Sequence, residues 1–282
     1  MSTPQMDKVV ASIVEAIEAG AKGGEWVMPW TFKGGSVLPH NATTGAQYHG
    51  ANVVILWFTA LQQGWPSSRW ATFKQWQSVG AQVRKGSKGT DAFIWKSLPS
   101  DNDDPDAPRR GFYRGFYLFN AAQVDNDPYS EPELDLDVDL HDLELVPAQR
   151  AVGRPSYNVT MDVVNMPPRS TFATEDDYLA TLAHELGHWT GHSTRLNREY
   201  GKRFGDQQYA AEELVAELSA AFTCAELGIS TVPRLDHAQY LEHWISMLKA
   251  DASILFTVAS KAQAATDYLM KYTQPHAQEA IA

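Results

Sequence analysis

Cysteine is nearly absent from this chain. One of its 282 residues is cysteine, Cys224, so no internal disulfide can form and the fold must be held by burial. Cys224 lies in the apolar run LSAAFTCAELG and reads as core packing. Long hydrophobic runs are missing too: nothing approaches the roughly 18 apolar residues of a membrane span. The opening MSTPQMDKVVASIVEAIEAG carries early acids and no signal-peptide core. These absences predict a cytoplasmic protein with no membrane partner. Nor is there any excess of positive charge, with 23 Lys+Arg against 34 Asp+Glu and a net charge of −11. Taken as an average, that balance argues against nucleic acid. The average hides an asymmetry, because residues 1–125 hold 12 basic and 10 acidic side chains while the rest hold 11 and 24. Halves of net +2 and −13 are what a nucleic-acid-binding module joined to an acidic domain would give.

What is present is ordinary folded-protein composition, 44% hydrophobic and 20% charged, on a chain long enough for two domains that can each bury a core. Val9, Val10, Ile13, Val14 and Ile17 recur at helical spacing and predict a helix from Met6 to Ala19, with Gly20 as its stop. A second apolar helix is expected near 51–62, its Trp57 and Phe58 in the core, and a short third near 73–79 with Thr72 as cap. From Gln82, and again from Gly111 to Val124, aromatic-rich stretches flanked by glycine read as strands. Residues 97–108 are polar and proline-rich, hence a solvated loop. In LDLDVDL, Leu134, Leu136, Val138 and Leu140 alternate with Asp135, Asp137 and Asp139. That period suits a linker ending in an edge strand with an acidic face, or else a strip imitating nucleic-acid phosphate charge. Beyond Arg154 a hairpin near 156–164 precedes four helices near 175–190, 207–227, 236–249 and 251–272.

The chemistry is concentrated at 184–188, HisGluLeuGlyHis, an HExxH motif in a helix that Thr174 opens and Glu175, Asp176 and Asp177 follow. Residues four apart stand about 6 Å along one helix face, so His184 and His188 can each give an imidazole nitrogen to one metal. Glu185 beside them can take a proton from water and hand it to a leaving amine, which makes it the catalytic base. A zinc site needs a third protein ligand. His192 is four residues on, but Gly191 loosens the helix there, and the extended HExxHxxGxxH pattern fails because position 194 is Thr194. AlaAlaGluGluLeuValAlaGlu at 210–217 offers carboxylates on an otherwise apolar helix. Glu213 is the expected ligand, with Glu212 as the alternative, and Glu217 on the Glu213 face can hold a ligand histidine by its second nitrogen. Two imidazoles and a carboxylate accept Zn2+ or another divalent ion such as Mn2+.

The first half carries a second signal. Arg69, Trp70, Lys74, Trp76, Arg84, Lys85 and Lys88 interleave cations with rings, and Arg110 and Arg114 follow the polar loop. Single-strand binders use that mixture, cations tracking phosphates and rings stacking on bases at about 1–3 kcal/mol each.

The segment TLAHELGHWTGHSTRLNREYGKRFGDQQYAAEELVAELSAAF resembles the ArdC-type antirestriction proteins of plasmids and phages. In the first half ProHisAsnAlaThrThrGly, TyrHisGlyAlaAsn, TrpAlaThrPheLysGlnTrp, ValArgLysGlySerLysGlyThr and PheAsnAlaAlaGln resemble them too. The resemblance implies an α+β fold of two domains. An α/β single-stranded-DNA-binding domain would span 1–125, an acidic linker 126–150, and a mainly helical, zincin-like metallopeptidase domain 151–282. It also implies His184 and His188 as ligands, Glu185 as base and an acidic ligand from 212–217. Protection of incoming DNA from restriction would be the role. Three functions fit: a peptidase acting on a host protein near single-stranded DNA, a DNA-coating protein whose metal site is unused, or a regulatory peptidase with a partner-binding first domain.

Overall fold

The apolar spacing of the first residues sets the first element. The computed structural model describes residues 2–23, 38–98, 111–129, 142–198, 207–229 and 238–273, and opens with helix α1 (Pro4–Gly23). The helix runs through Gly20 rather than stopping there. A helical glycine costs about 1 kcal/mol, whereas each buried side chain returns about 1.5–3 kcal/mol. Met6, Val10, Ile13, Val14 and Ile17 are all buried, so the apolar face decides the outcome. Helix α2 (Ala51–Gln63) is apolar almost all round and ends on Gly64, whose φ of 64° is the left-handed cap conformation that suits glycine. Helix α3 (Phe73–Ser78) starts with a reciprocal box, in which the Thr72 hydroxyl accepts from Gln75 N and the Gln75 side chain accepts from Thr72 N.

Around these helices lie short strands β1 (His40–Asn41), β2 (Arg69–Ala71) and β3 (Gln82–Val83), then the long pair β4 (Thr90–Ser97) and β5 (Gly111–Asn120), and finally β6 (Val124–Asp125). β4 and β5 pair antiparallel from Thr90 opposite Leu118 to Ser97 opposite Gly111. They form a four-stranded sheet in the order β1-β2-β5-β4, while β3 and β6 pair separately. The strand signal expected from Gln82 is therefore broken by a turn at 84–89, where Gly86 adopts φ 88°.

The second half begins with a three-stranded sheet in the order β7-β9-β8, from β7 (Gln149–Val152), β8 (Ser156–Asn158) and β9 (Val163–Met166). The expected hairpin is β8–β9, and β7 joins it in parallel. Helices α4 (Glu175–Thr190), α5 (Gln207–Glu226), α6 (Ala238–Ala250) and α7 (Ser253–Thr273) complete an α+β fold. The acidic strip at 134–140, and all but the start of the loop at 97–108, lie outside the described residues.

The largest core joins the two halves. Val10, Ile13 and Ile17 of α1 and Val54 and Trp57 of α2 share one cluster with Leu214 and Phe222 of α5, Trp244 of α6 and Phe256 of α7. A second cluster gathers Leu179, Leu182 and Leu186 of α4 with Cys224 and Leu269. Cys224 is fully buried, and burial pushes its thiol pKa up. The apolar face of α1 is thus covered mainly by α6, with α2 and α7 beside it.

Candidate metal centre

Helix α4 is fixed at both ends. Thr174 accepts from Asp177 N and the Asp177 carboxylate accepts from Thr174 N, each at 3.1 Å. Glu175, Asp176 and Asp177 complement the positive end of the helix dipole. At the other end Gly191 donates to His188 O at 2.8 Å. The turn then folds back, with Asn197 at φ 48°, a conformation asparagine tolerates, and Arg198 N donating to Gly191 O at 2.9 Å. His184 and Glu185 are both buried on this helix.

Helix α5 packs across α4 and brings the carboxylates to the histidines. The Nε2 atoms of His184 and His188 lie 3.7 and 3.6 Å from the two oxygens of Glu213. Donor atoms of these three residues all fall within 4.8 Å of one another. Two donors on a tetrahedral ion, each about 2.0–2.1 Å from it, stand about 3.3 Å apart, so the set fits such an ion after an inward shift of a few tenths of an ångström. The outer nitrogens complete the pattern: His184 Nδ1 is 3.5 Å from Glu217 Oε2 and His188 Nδ1 is 3.4 Å from Glu212 Oε1. Each imidazole thus has one nitrogen facing inward and one facing a carboxylate that can fix its tautomer. A divalent metal, zinc or manganese, suits this donor set.

The alternative ligand Glu212 lies one residue round the helix, buried against the outer nitrogen of His188 rather than at the point where the three donors converge. Arg198, itself buried, donates to it from Nε at 3.1 Å and Nη2 at 2.7 Å, and also bonds Thr190 Oγ1 and Gly187 O. Sequence reasoning missed Arg198. A signal existed in the adjacent pair Glu212 and Glu213 on an otherwise apolar stretch, because a buried carboxylate that is not a metal ligand calls for a cation. Burial on its own lowers the His188 pKa, but the Glu212 and Glu213 carboxylates override it and raise the value to about 10. Burial likewise raises the Glu213 pKa, yet the two histidines hold the carboxyl well below its ordinary range. His192 takes no part: its Nδ1 lies 2.8 Å from Thr194 Oγ1 in its own loop.

One backbone contact sets the spacing of the two helices. A Cβ on Gly187 would overlap Ser219 Oγ and would lie 3.2 Å from Ala216 Cα. Nearby, Arg195 stacks on the Trp189 ring at 4.0 Å and pairs with Asp162, whose oxygen also receives the Tyr157 hydroxyl at 2.7 Å.

The residues read as contacting DNA divide into groups. Trp70 and Trp76 are 1% and 0% exposed, so neither can stack on a base. Trp70 packs with Leu56, Ala92 and Leu118, and Trp76 Nε1 donates to Phe119 O at 2.9 Å. Both are corrected to core residues. Arg69 is also corrected: it is buried and its guanidinium pairs with Asp127 at 2.6 Å. Arg84 is exposed but bonds the Ala122 and Val124 carbonyls and Asp125. Lys74, Lys85, Lys88 and Arg114 are exposed, and Arg110 lies outside the described residues. Exposed rings occur where the sequence reading did not place them, at Trp95, Phe112 and Tyr117, which are 45%, 51% and 58% exposed.

Comparison with known proteins agrees with this geometry. A family described as zincin-like metallopeptidase matches residues 146–261, and one described as the N-terminal domain of anti-restriction factor ArdC matches residues 3–123. The metal-free crystal structure of the antirestriction ArdC protein from plasmid R388 superposes with a TM-score of 0.76 at 33% identity, over 96% of this chain and 98% of that one. The chain belongs to the ArdC antirestriction family. The Mn(II)-bound structure of the same R388 protein gives a TM-score of 0.76 at 32% identity, over 95% of this chain and 98% of that one. A Sinorhizobium fredii relative, uncharacterized protein y4eC, is 35% identical over 98% of this chain and 92% of its own length. DNA primase TraC of Escherichia coli is 34% identical over 98% of this chain, which spans only 20% of the primase. In this ArdC-family chain, no helix among the described residues is long and apolar enough to cross a membrane.

Proposed function

We propose that this chain binds single-stranded DNA through its first domain, hydrolyses peptide bonds at the α4–α5 centre, and protects incoming DNA from restriction. The domains are assigned as 1–125 for DNA and 151–282 for the peptidase, joined by an acidic linker at 126–150. The observation that carries the reading is the convergence of His184, His188 and Glu213, with the buried Glu185 next to His184 on the same helix. A divalent ion bound there supplies Lewis-acid chemistry, acidifying water and polarising a carbonyl. Glu185 accepts the proton of the attacking water and carries it to the leaving amine. Glu217 and Glu212 hold the outer imidazole nitrogens, and Arg198 anchors Glu212. For DNA, support comes from the exposed cations Lys74, Lys85, Lys88 and Arg114 on a domain of net positive charge.

Glu185→Gln tests the reading. The amide keeps the shape but takes no proton, so cleavage of an unfolded protein substrate should fall by about a hundredfold or more, while metal content and DNA affinity stay unchanged. Loss of protection in a conjugation assay would tie that chemistry to the biological role. Full protection by the Glu185→Gln chain would show that coating of DNA suffices and would remove proteolysis from the mechanism.

A further inference from the structure

A cleft of about 390 Å3 opens where the two domains meet, bounded by the β4–β5 hairpin, the start of α2 and one face of α7. That volume lies within the range of small-ligand sites, about 300–1,000 Å3. Its wall is a run of rings: Trp95 and Tyr113 are 4.9 Å apart between centroids, and Tyr113 and Phe256 are 5.0 Å apart. Phe256 is buried, whereas Trp95 at the mouth of the cleft leaves nearly half its surface free. Gly111 lies against the Trp95 ring, because a Cβ there would stand 2.6 Å from Trp95 Cε2 and Cζ2. The floor and rim are polar, with His49, Ser260 and Asp267. Gln263 is tied to Gly50 N at 3.2 Å and donates to Asp267 Oδ1 at 2.9 Å, which orients that carboxylate and leaves its second oxygen for another donor.

We propose that this cleft receives a nucleobase of the bound single strand, a proposal that rests on the DNA-binding reading above. Its chemistry suits a flat heterocycle with N–H groups on its edge: a ring to stack on, a fixed carboxylate acceptor, an imidazole and a hydroxyl. A phosphate does not suit it, since among the described residues no Lys or Arg lines the cleft and Asp267 does. Cations stand on the other side of the same hairpin. Side chains alternate along a strand, so Lys96 and Arg114 point away from the face that carries Trp95 and Tyr113. The strand therefore keeps its phosphates toward Lys96 and Arg114 and turns one base into the cleft.

The test is fluorescence anisotropy of the full-length chain with a labelled mixed-sequence oligonucleotide of about 16 nucleotides, titrated across salt. Trp95→Ala should weaken binding roughly five- to 150-fold, the loss of one stacked base. The slope of log affinity against log salt should not change, because no cation is removed. Arg114→Ala should instead lower that slope by about 0.7. Ser260→Trp, which fills the cleft from exposed α7 surface, should reproduce the Trp95→Ala loss at unchanged Tm. Photo-crosslinking of a 5-iodouracil oligonucleotide should map to Trp95 or Tyr113. Unchanged affinity in both cleft variants, with crosslinks elsewhere, would overturn the cleft and leave DNA binding intact. No salt-dependent binding by the parent chain would overturn both.

Discussion

The distance between α4 and α5 is the quantity on which the metal centre depends, and Gly187→Ala perturbs it directly. Each helix supplies part of the donor set, His184 and His188 from one and Glu213 from the other. The added Cβ would overlap Ser219 Oγ and stand 3.2 Å from Ala216 Cα and 3.3 Å from Ala216 O, against about 3.5–4.0 Å for relaxed carbon contacts. Rotating Ser219 relieves the first clash and forfeits its 2.9 Å bond to Ala216 O, but Ala216 Cα is backbone and cannot rotate away. Relief needs a separation of about half an ångström, which is also about the tolerance within which a functional constellation must be held. Overpacking of this kind costs about 1–3 kcal/mol, which corresponds to a fall in Tm of roughly 2–10 °C. Metal affinity should fall about tenfold or more, since the imidazoles and the carboxylate no longer close on one point. Differential scanning calorimetry of the metal-free protein and competitive titration with a chromophoric chelator measure the two effects separately. Ser219→Ala in the same chain should recover part of the Tm and less of the affinity. A Gly187→Ala protein with the Tm and the metal affinity of the parent would refute the idea that this contact sets the geometry of the site.

Three further outcomes are expected. Glu213→Ala should lose metal affinity strongly and Glu212→Ala weakly, as read by elemental analysis after dialysis; the reverse ranking would mean that α5 is rotated from the arrangement described. Arg195 hydrogen-bonds Asp162 and holds its carboxyl below the ordinary range. The stability Asp162 contributes is therefore complete above about pH 4, its unfolded value, and is lost as pH falls through the lower folded value. Asp162→Asn should remove that part of the acid limb in pH-dependent urea melts, and an unchanged limb would discount the pair. Trp76→Ala should cost about 3–5 kcal/mol of unfolding free energy in denaturant melts without lowering the DNA affinity of the protein that remains folded.

The metal centre was legible because its chemistry is periodic. His184 and His188 are one helical turn apart, and carboxylates on the apolar α5 have few reasons to be there other than an ion or a buried cation. Arg198 was not legible, since its role arises from a loop that folds back on α4 through the left-handed turn at Asn197. The rings of the first domain were misread for a different reason. Tryptophan serves a core and a stacking surface equally well, and only the folded chain shows that Trp70 on β2 and Trp76 on α3 are buried while Trp95 stands on the edge strand β4. Helix positions followed from spacing, but an amphipathic face does not name the partner that will cover it. The sharing of one core by α1, α2, α5, α6 and α7 was accordingly hidden.

That shared core has a consequence for how the chain is made. Glu18 on α1 pairs with Lys249 on α6 at 2.7 Å, across a separation of 231 residues. At about 5–20 residues per second, translation leaves roughly 10–50 s between the emergence of the two partners. Through that interval the apolar face of α1 has α2 beside it but lacks its cover from α6 and α7. Nascent protein is thus exposed to chaperones and to aggregation until the last helices leave the ribosome. A fragment ending before α5 would stay in that condition permanently, so the order of synthesis obliges the cell to finish the chemistry-bearing half before the first half can settle.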